Sequence, residues 1–152
     1  MKNSIEKLED LHNLELSENL RLAFNVTKLS NLKDGKNRKN YKNSALATLG
    51  DSLIKFLLTE YLFSVSDKGI ITKTKSDLEN NNKFEEIIKE KKLYILLYND
   101  NGVKFHNQKQ ENKLIKDFAT LFEAIIAAIY LDFDLPVARD CLFESLNLCV
   151  ND

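Results

Sequence analysis

The sequence is short of long apolar runs, of metal-binding side chains and of net charge, and each shortage closes off a class of function. Its most apolar stretch, Phe118 to Leu131, carries Glu123 and is too short to cross a bilayer, so no membrane partner is expected. There are two cysteines and two histidines, and His12 and His106 lie far apart, so no zinc site of ordinary spacing can be assembled. Cys141 and Cys149 fall in one expected helix, about 12 Å apart along its axis, beyond the reach of a disulfide. They read as core thiols in a reducing compartment. A net charge of −1 gives no global attraction to polyanions, so any nucleic-acid binding must come from local clustering of charge. The N-terminus, Met1 to Asp10, is charged throughout and has no apolar signal core, and the expected location is cytoplasmic.

What is present is a core-forming composition and two acids in unusual company. The 152 residues, 43% apolar and 30% charged, suit one soluble domain over 1–152 that buries about two-thirds of its unfolded surface. Phe118 to Leu131 reads as a helix buried on most sides, and Glu123 is its one acid. An ionised carboxylate in such a place needs a counter-charge or a cation. Ala45 to Ile54 is a second nearly apolar helix whose one charge is Asp51. Two buried acids on two core helices suggest a divalent metal between them.

In chain order, apolar spacing predicts two short helices within residues 4–31, the second capped by Ser17. Lys28, Lys33, Lys36, Arg38, Lys39 and Lys42 then cluster against one acid, Asp34. Such a run is either a solvated loop or a set of phosphate contacts next to the Asp51 helix. A central helix follows over 43–63, with Gly50 directly before Asp51, there either for close approach of another element or for plain packing. A further helix opens at Thr72 and runs to about Lys91. Leu93 to Tyr98 is ambiguous, because Asn99 to Gly102 followed by Val103 to Phe105 would also suit a small hairpin near 93–105. The Glu123 helix ends near Asp132, and Pro136, the one proline, sits where a first helical turn accepts it and opens the last helix.

Asn43-Ser-Ala-Leu-Ala-Thr-Leu-Gly-Asp-Ser52 resembles the signature helix of the ribonuclease III catalytic domain, typically Asn-Glu-Arg-Leu-Glu-Phe-Leu-Gly-Asp-Ser. Thr120 to Asp132 resembles that family's second acidic motif, and Thr72, Lys75 and Leu78 agree with the segment between them. The resemblance implies an all-α ribonuclease III-like helical endonuclease domain. Where the main branch of the family places four carboxylates around divalent metal, this chain has Asp51 and Glu123 but Ala47 and Thr120 at the other two positions. A further family acid falls on Lys68. Leu46 to Asp51 and Ala119 to Ala124 follow instead the acidic motifs of the compact Mini-ribonuclease III branch, which lacks a double-stranded-RNA-binding domain. No such domain is expected here.

By that resemblance the chain is a metal-dependent endoribonuclease acting on double-stranded or structured RNA. Asp51 and Glu123 would be both catalytic residues and ligands of Mg²⁺, with Mn²⁺ an alternative. Members pair through the signature helix, so a homodimer is implied, although Thr48 stands where many relatives place an aromatic side chain for that contact. Two other readings compete. One is a catalytically silent relative that binds RNA or acts as a scaffold. The other is an unrelated helical bundle in which Glu123 pairs with a lysine such as Lys55. The feature that separates cutting from silence is whether another acid, for instance Glu60, Asp67 or Asp117, reaches the Asp51–Glu123 pair.

Overall fold

The computed structural model describes residues 4–27, 41–64, 74–75, 77–102 and 118–148. Its axis is the helix Phe118–Asp132, whose residues are apolar on every side and therefore buried on nearly all of them. Around it pack Glu18–Ala23 (α1), Ser44–Phe63 (α2), Asn81–Glu90 (α3) and Leu135–Ser145 (α5), the axial helix itself being α4. The contact between α2 and α4 is the most extensive of all. Rings lock the rest to this axis. Phe84 of α3 stacks on Phe122 with centroids 4.4 Å apart, and Tyr94 stacks on Phe118 at 6.2 Å.

Local chemistry sets where these helices begin. The Ser17 hydroxyl accepts from Leu20 N and so caps α1, as its position in the sequence predicts. Ser17 and Asn19 also donate to Asp132, which ties the start of α1 to the end of α4. Asp134 caps α5 with Pro136 in its first turn. Asn43, at the start of α2, is buried and donates through Nδ2 to the carbonyl of Ala23.

The expected elements are present with four differences, one being that α5 stops at Ser145 and so does not carry Cys141 and Cys149 on one helix as expected. The first apolar set, Leu8–Asn13, is a 3-10 turn rather than an α-helix, and its Leu8 and Leu11 are nonetheless buried. The helix expected from Thr72 to Lys91 is interrupted at Asn80, whose extended backbone and side-chain bond to Asn82 N start α3 afresh; Thr72 lies outside the described residues. Leu93–Leu96 is a 3-10 turn, and the strand-like pairing of Tyr98 goes to Asn25 as a parallel bridge, which removes the first arm of the expected hairpin. Val103 to Phe105 lie outside the described residues. Among the described residues no helix is long and apolar enough to cross a membrane. Cys141 is buried as expected, and burial pushes its thiol up to about 12, so it is inert near neutral pH; Cys149 is not among the described residues.

Candidate active site

Helices α2 and α4 cross at Gly50. A Cβ at this position would lie 1.8 Å from the carbonyl oxygen of Glu123 and 2.5 Å from its carbonyl carbon, so only glycine lets the two backbones meet. Of the two roles open to Gly50, close approach is the one it fills. The crossing sets the next residue of α2, Asp51, beside the side chain of Glu123, close enough to act on its carboxyl. One turn further along α2, Lys55 Nζ stands 3.0 Å from Asp51 Oδ2. Lys55 thus pairs with Asp51, and not, as the helical-bundle reading has it, with Glu123.

Both acids were expected inside the core, and the structure puts them on its rim. The buried face of α2 is carried by Leu46, Ala47, Gly50, Ile54, Leu57 and Leu58, and Asp51 lies one residue round from that face with its side chain 49% exposed. Glu123 is partly buried. Burial first, then the hydrogen bond with Asp51 and the repulsion of that residue's charge, raise the Glu123 carboxyl to about 8, while Lys55 works in the opposite direction. Without a bound cation at neutral pH, the Glu123 carboxyl therefore favours its protonated form.

A third carboxylate approaches this pair, and it is none of the acids picked out from the sequence. Glu79 belongs to the short helical turn before the Asn80 break, held by a bond from its own N–H to the carbonyl of Lys75. Its Oε1 is buried without a hydrogen bond among the described residues, and the Lys75 ammonium is 3.9 Å away. Burial raises the Glu79 carboxyl, Lys75 and Lys55 draw it down, and the charge of Asp51 raises it again, which places it within electrostatic reach of the site. Linear spacing holds no signal for this, since Glu79 is far along the chain from both acids and belongs to neither of their helices. Glu60 lies on α2 about 13 Å along the axis from Asp51 and is too far away; Asp67 and Asp117 lie outside the described residues. No group of three or more Asp, Glu, His or Cys placed to share one metal ion occurs among the described residues, so Glu79 stands outside the Asp51–Glu123 pair.

Ala47 and Thr120 sit one turn before Asp51 and Glu123 on their helices, the first buried and the second partly so. The donor set is thus two carboxylates, oxygen only and open to water on one side. That suits a hard dication such as Mg²⁺ or Mn²⁺, completed by waters, better than zinc.

Of the six clustered cations only Lys42 is described; Lys28, Lys33, Lys36, Arg38 and Lys39 lie outside the described residues. Lys42 pairs with Asp100, which also accepts from Asn25 Nδ2 at 2.8 Å, and these two partners hold the Asp100 carboxyl below its usual range. Lys42 lines a surface cleft with Glu18, Arg21, Leu22, Asn25 and Tyr98. It precedes α2 and lies about two helical turns from Asp51, so the structure does not bring it into the carboxylate pair.

Residues 44–134 match the family model of the ribonuclease III domain. Ribonuclease 3 of Sulfurovum sp. (strain NBC37-1) is 30% identical over 115 residues, which cover 74% of this chain and 50% of that protein. The chain thus spans about half the length of this curated relative. Two solved structures of the nuclease domain of ribonuclease III from Campylobacter jejuni also match. One has a TM-score of 0.67 at 25% identity over 100% of both chains. The other has 0.68 at 24% identity over 95% of this chain and 96% of that one, and concerns flexibility in the region of that domain involved in dimer formation. With the family model spanning more than half of its length, on a fold shared with solved nuclease domains, the chain belongs to the ribonuclease III domain family.

Proposed function

We propose that the chain is a metal-dependent endoribonuclease that hydrolyses phosphodiester bonds in double-stranded or structured RNA, with Asp51 and Glu123 as its catalytic acids. The observation that carries this reading is the helix crossing at Gly50, which sets the two carboxyl groups beside each other on a solvent-facing rim. Asp51 and Glu123 would hold Mg²⁺ or Mn²⁺, which when bound supplies a Lewis acid for the phosphoryl oxygen and lowers the pKa of a coordinated water. Two carboxylates balance one dication, and Glu79, kept nearby by its own turn, adds negative potential. Glu123 must give up its proton for both acids to act as ligands.

The assembly we propose is a homodimer through α2. Phe56 and Phe63 on this helix are 53% and 78% exposed, two turns apart on one face, and a ribonuclease III nuclease domain related in fold has a region involved in dimer formation. This face supplies aromatic surface that Thr48, exposed and bonded to its own helix, does not. Lys42 and the cations preceding it would neutralise phosphates leading to the site. A buried inert thiol fits a cytoplasmic protein.

A second reading, an RNA-binding relative that does not cut, draws on Ala47 and Thr120 and on the absence of a third ligand among the described residues. Incubating the purified chain with labelled duplex RNA and Mg²⁺ or Mn²⁺ separates the two. Cleavage that EDTA stops supports the nuclease. Salt-sensitive binding with intact RNA supports the silent protein.

A further inference from the structure

The position of Lys55 in the site is not explained by holding two helices together. It lies on the same helix as its partner, one turn after Asp51, and both side chains are about half exposed, at 51% and 49%. Pairs of this kind are weak and screened, so the contact stabilises the fold little and breaks readily. Yet the ammonium feels more than its partner: Asp51 first, then at longer range Glu79 and Glu123, raise its pKa. Lys75, the other cation in this cluster, is less exposed at 31% and stands beside Glu79.

The charge balance gives Lys55 a role. Asp51 and Glu123 are matched by one dication, whereas a phosphodiester under attack gains negative charge on its non-bridging oxygens and on the leaving oxygen. Sites with more carboxylates can hold a second dication for that purpose, but Ala47 and Thr120 supply none here. A lysine is a compact charge on a flexible stem and can move from one oxygen to another within a few ångströms.

Resting on the nuclease reading, we propose that Lys55 is a phosphate-contacting residue of the site: a dication taken up by Asp51 and Glu123 displaces its ammonium from Asp51, and the freed ammonium neutralises the RNA phosphate held there. Lys55 therefore competes with metal in the free protein and assists it in the complex. Removing the charge must move these two properties in opposite directions, which an ordinary surface ion pair or a residue that merely orients Asp51 would not do.

The test compares the full chain with Lys55→Met and Lys55→Arg, each checked for unchanged helicity and melting. Mn²⁺ binding is measured by calorimetry without RNA, and single-turnover cleavage of a duplex RNA with Mn²⁺ is followed across a series of KCl concentrations. Lys55→Met should bind Mn²⁺ several-fold more tightly, cleave at least tenfold more slowly at saturation, and lose about one phosphate contact from the salt dependence of the half-saturating RNA concentration. Lys55→Arg should restore that salt dependence. If Lys55→Met leaves the salt dependence and the rate unchanged, or weakens metal and RNA together, the proposal is overturned while the nuclease reading stands. A wild-type chain that takes up no Mn²⁺ and cuts no duplex overturns both.

Discussion

Glu123 is the residue at which the metal-free and metal-loaded proteins should differ most. Its carboxyl is raised from 4.5 to about 8 in the folded chain, so the folded state holds a proton that the unfolded chain releases at lower pH. Stability from this group is therefore fully present below about 4.5 and is lost as pH rises through 8. Glu79, also raised by burial, acts in the same direction. The metal-free protein should accordingly show a melting temperature that falls across this window, and Glu123→Gln, which keeps a hydrogen-bond donor for Asp51 without the ionisation, should melt higher than wild type at pH 8. A wild-type melting temperature that does not fall with pH would mean that Glu123 is ionised throughout. Metal affinity runs the other way, because uptake needs the deprotonated acid, and calorimetry should show tighter Mg²⁺ binding and less proton release as pH rises through 8.

At the scale of elements, the crossing of α2 and α4 carries the site. Gly50→Ala would gain about 1 kcal/mol of helix propensity. Against that, the added methyl would meet the Glu123 backbone at 1.8 Å, which no side-chain rotation relieves. Overpacking of this severity costs about 3 kcal/mol or more, so the clash wins and the melting point should drop by roughly 5–10 °C in a chain of this size. Cleavage should fall as well, since Asp51 and Glu123 part when the helices do. A Gly50→Ala protein with unchanged melting and activity would show that the crossing is not what sets the acids together. Much of this was legible in the sequence: a nearly all-apolar α4 had to be central, and one acid on each of two such helices had to be accounted for. Other parts were not. Asn80 looks like one more polar residue on a helix face until its side chain is seen capping Asn82, and that break ends the turn to which Glu79 belongs. Leu93 to Tyr98 has β-favouring residues, but tertiary pairing of Tyr98 with Asn25 overrides the local preference.

At the scale of the whole molecule, the two acids singled out in the sequence lie beside each other, but their burial was overstated, because a helix pattern shows which residues are apolar but not which acid lies at the edge of the buried stripe. The exposure of Phe56 and Phe63 was hidden for the same reason, since apolar residues occupy too many positions of α2 for one buried stripe to stand out. If α2 is the dimer surface, sedimentation should give twice the 17.5 kDa chain mass at micromolar concentration, and Phe56→Glu with Phe63→Glu should give the single-chain mass. A wild-type monomer would remove the dimer from the account. The central claim, that the rim pair Asp51–Glu123 is the hydrolytic site, is tested most directly by single-turnover cleavage of duplex RNA with Mg²⁺ by wild type and by Glu123→Gln side by side. Wild type should cut and Glu123→Gln should not, while the variant stays folded and melts no lower at pH 8. Cleavage retained in a folded Glu123→Gln protein would contradict the account.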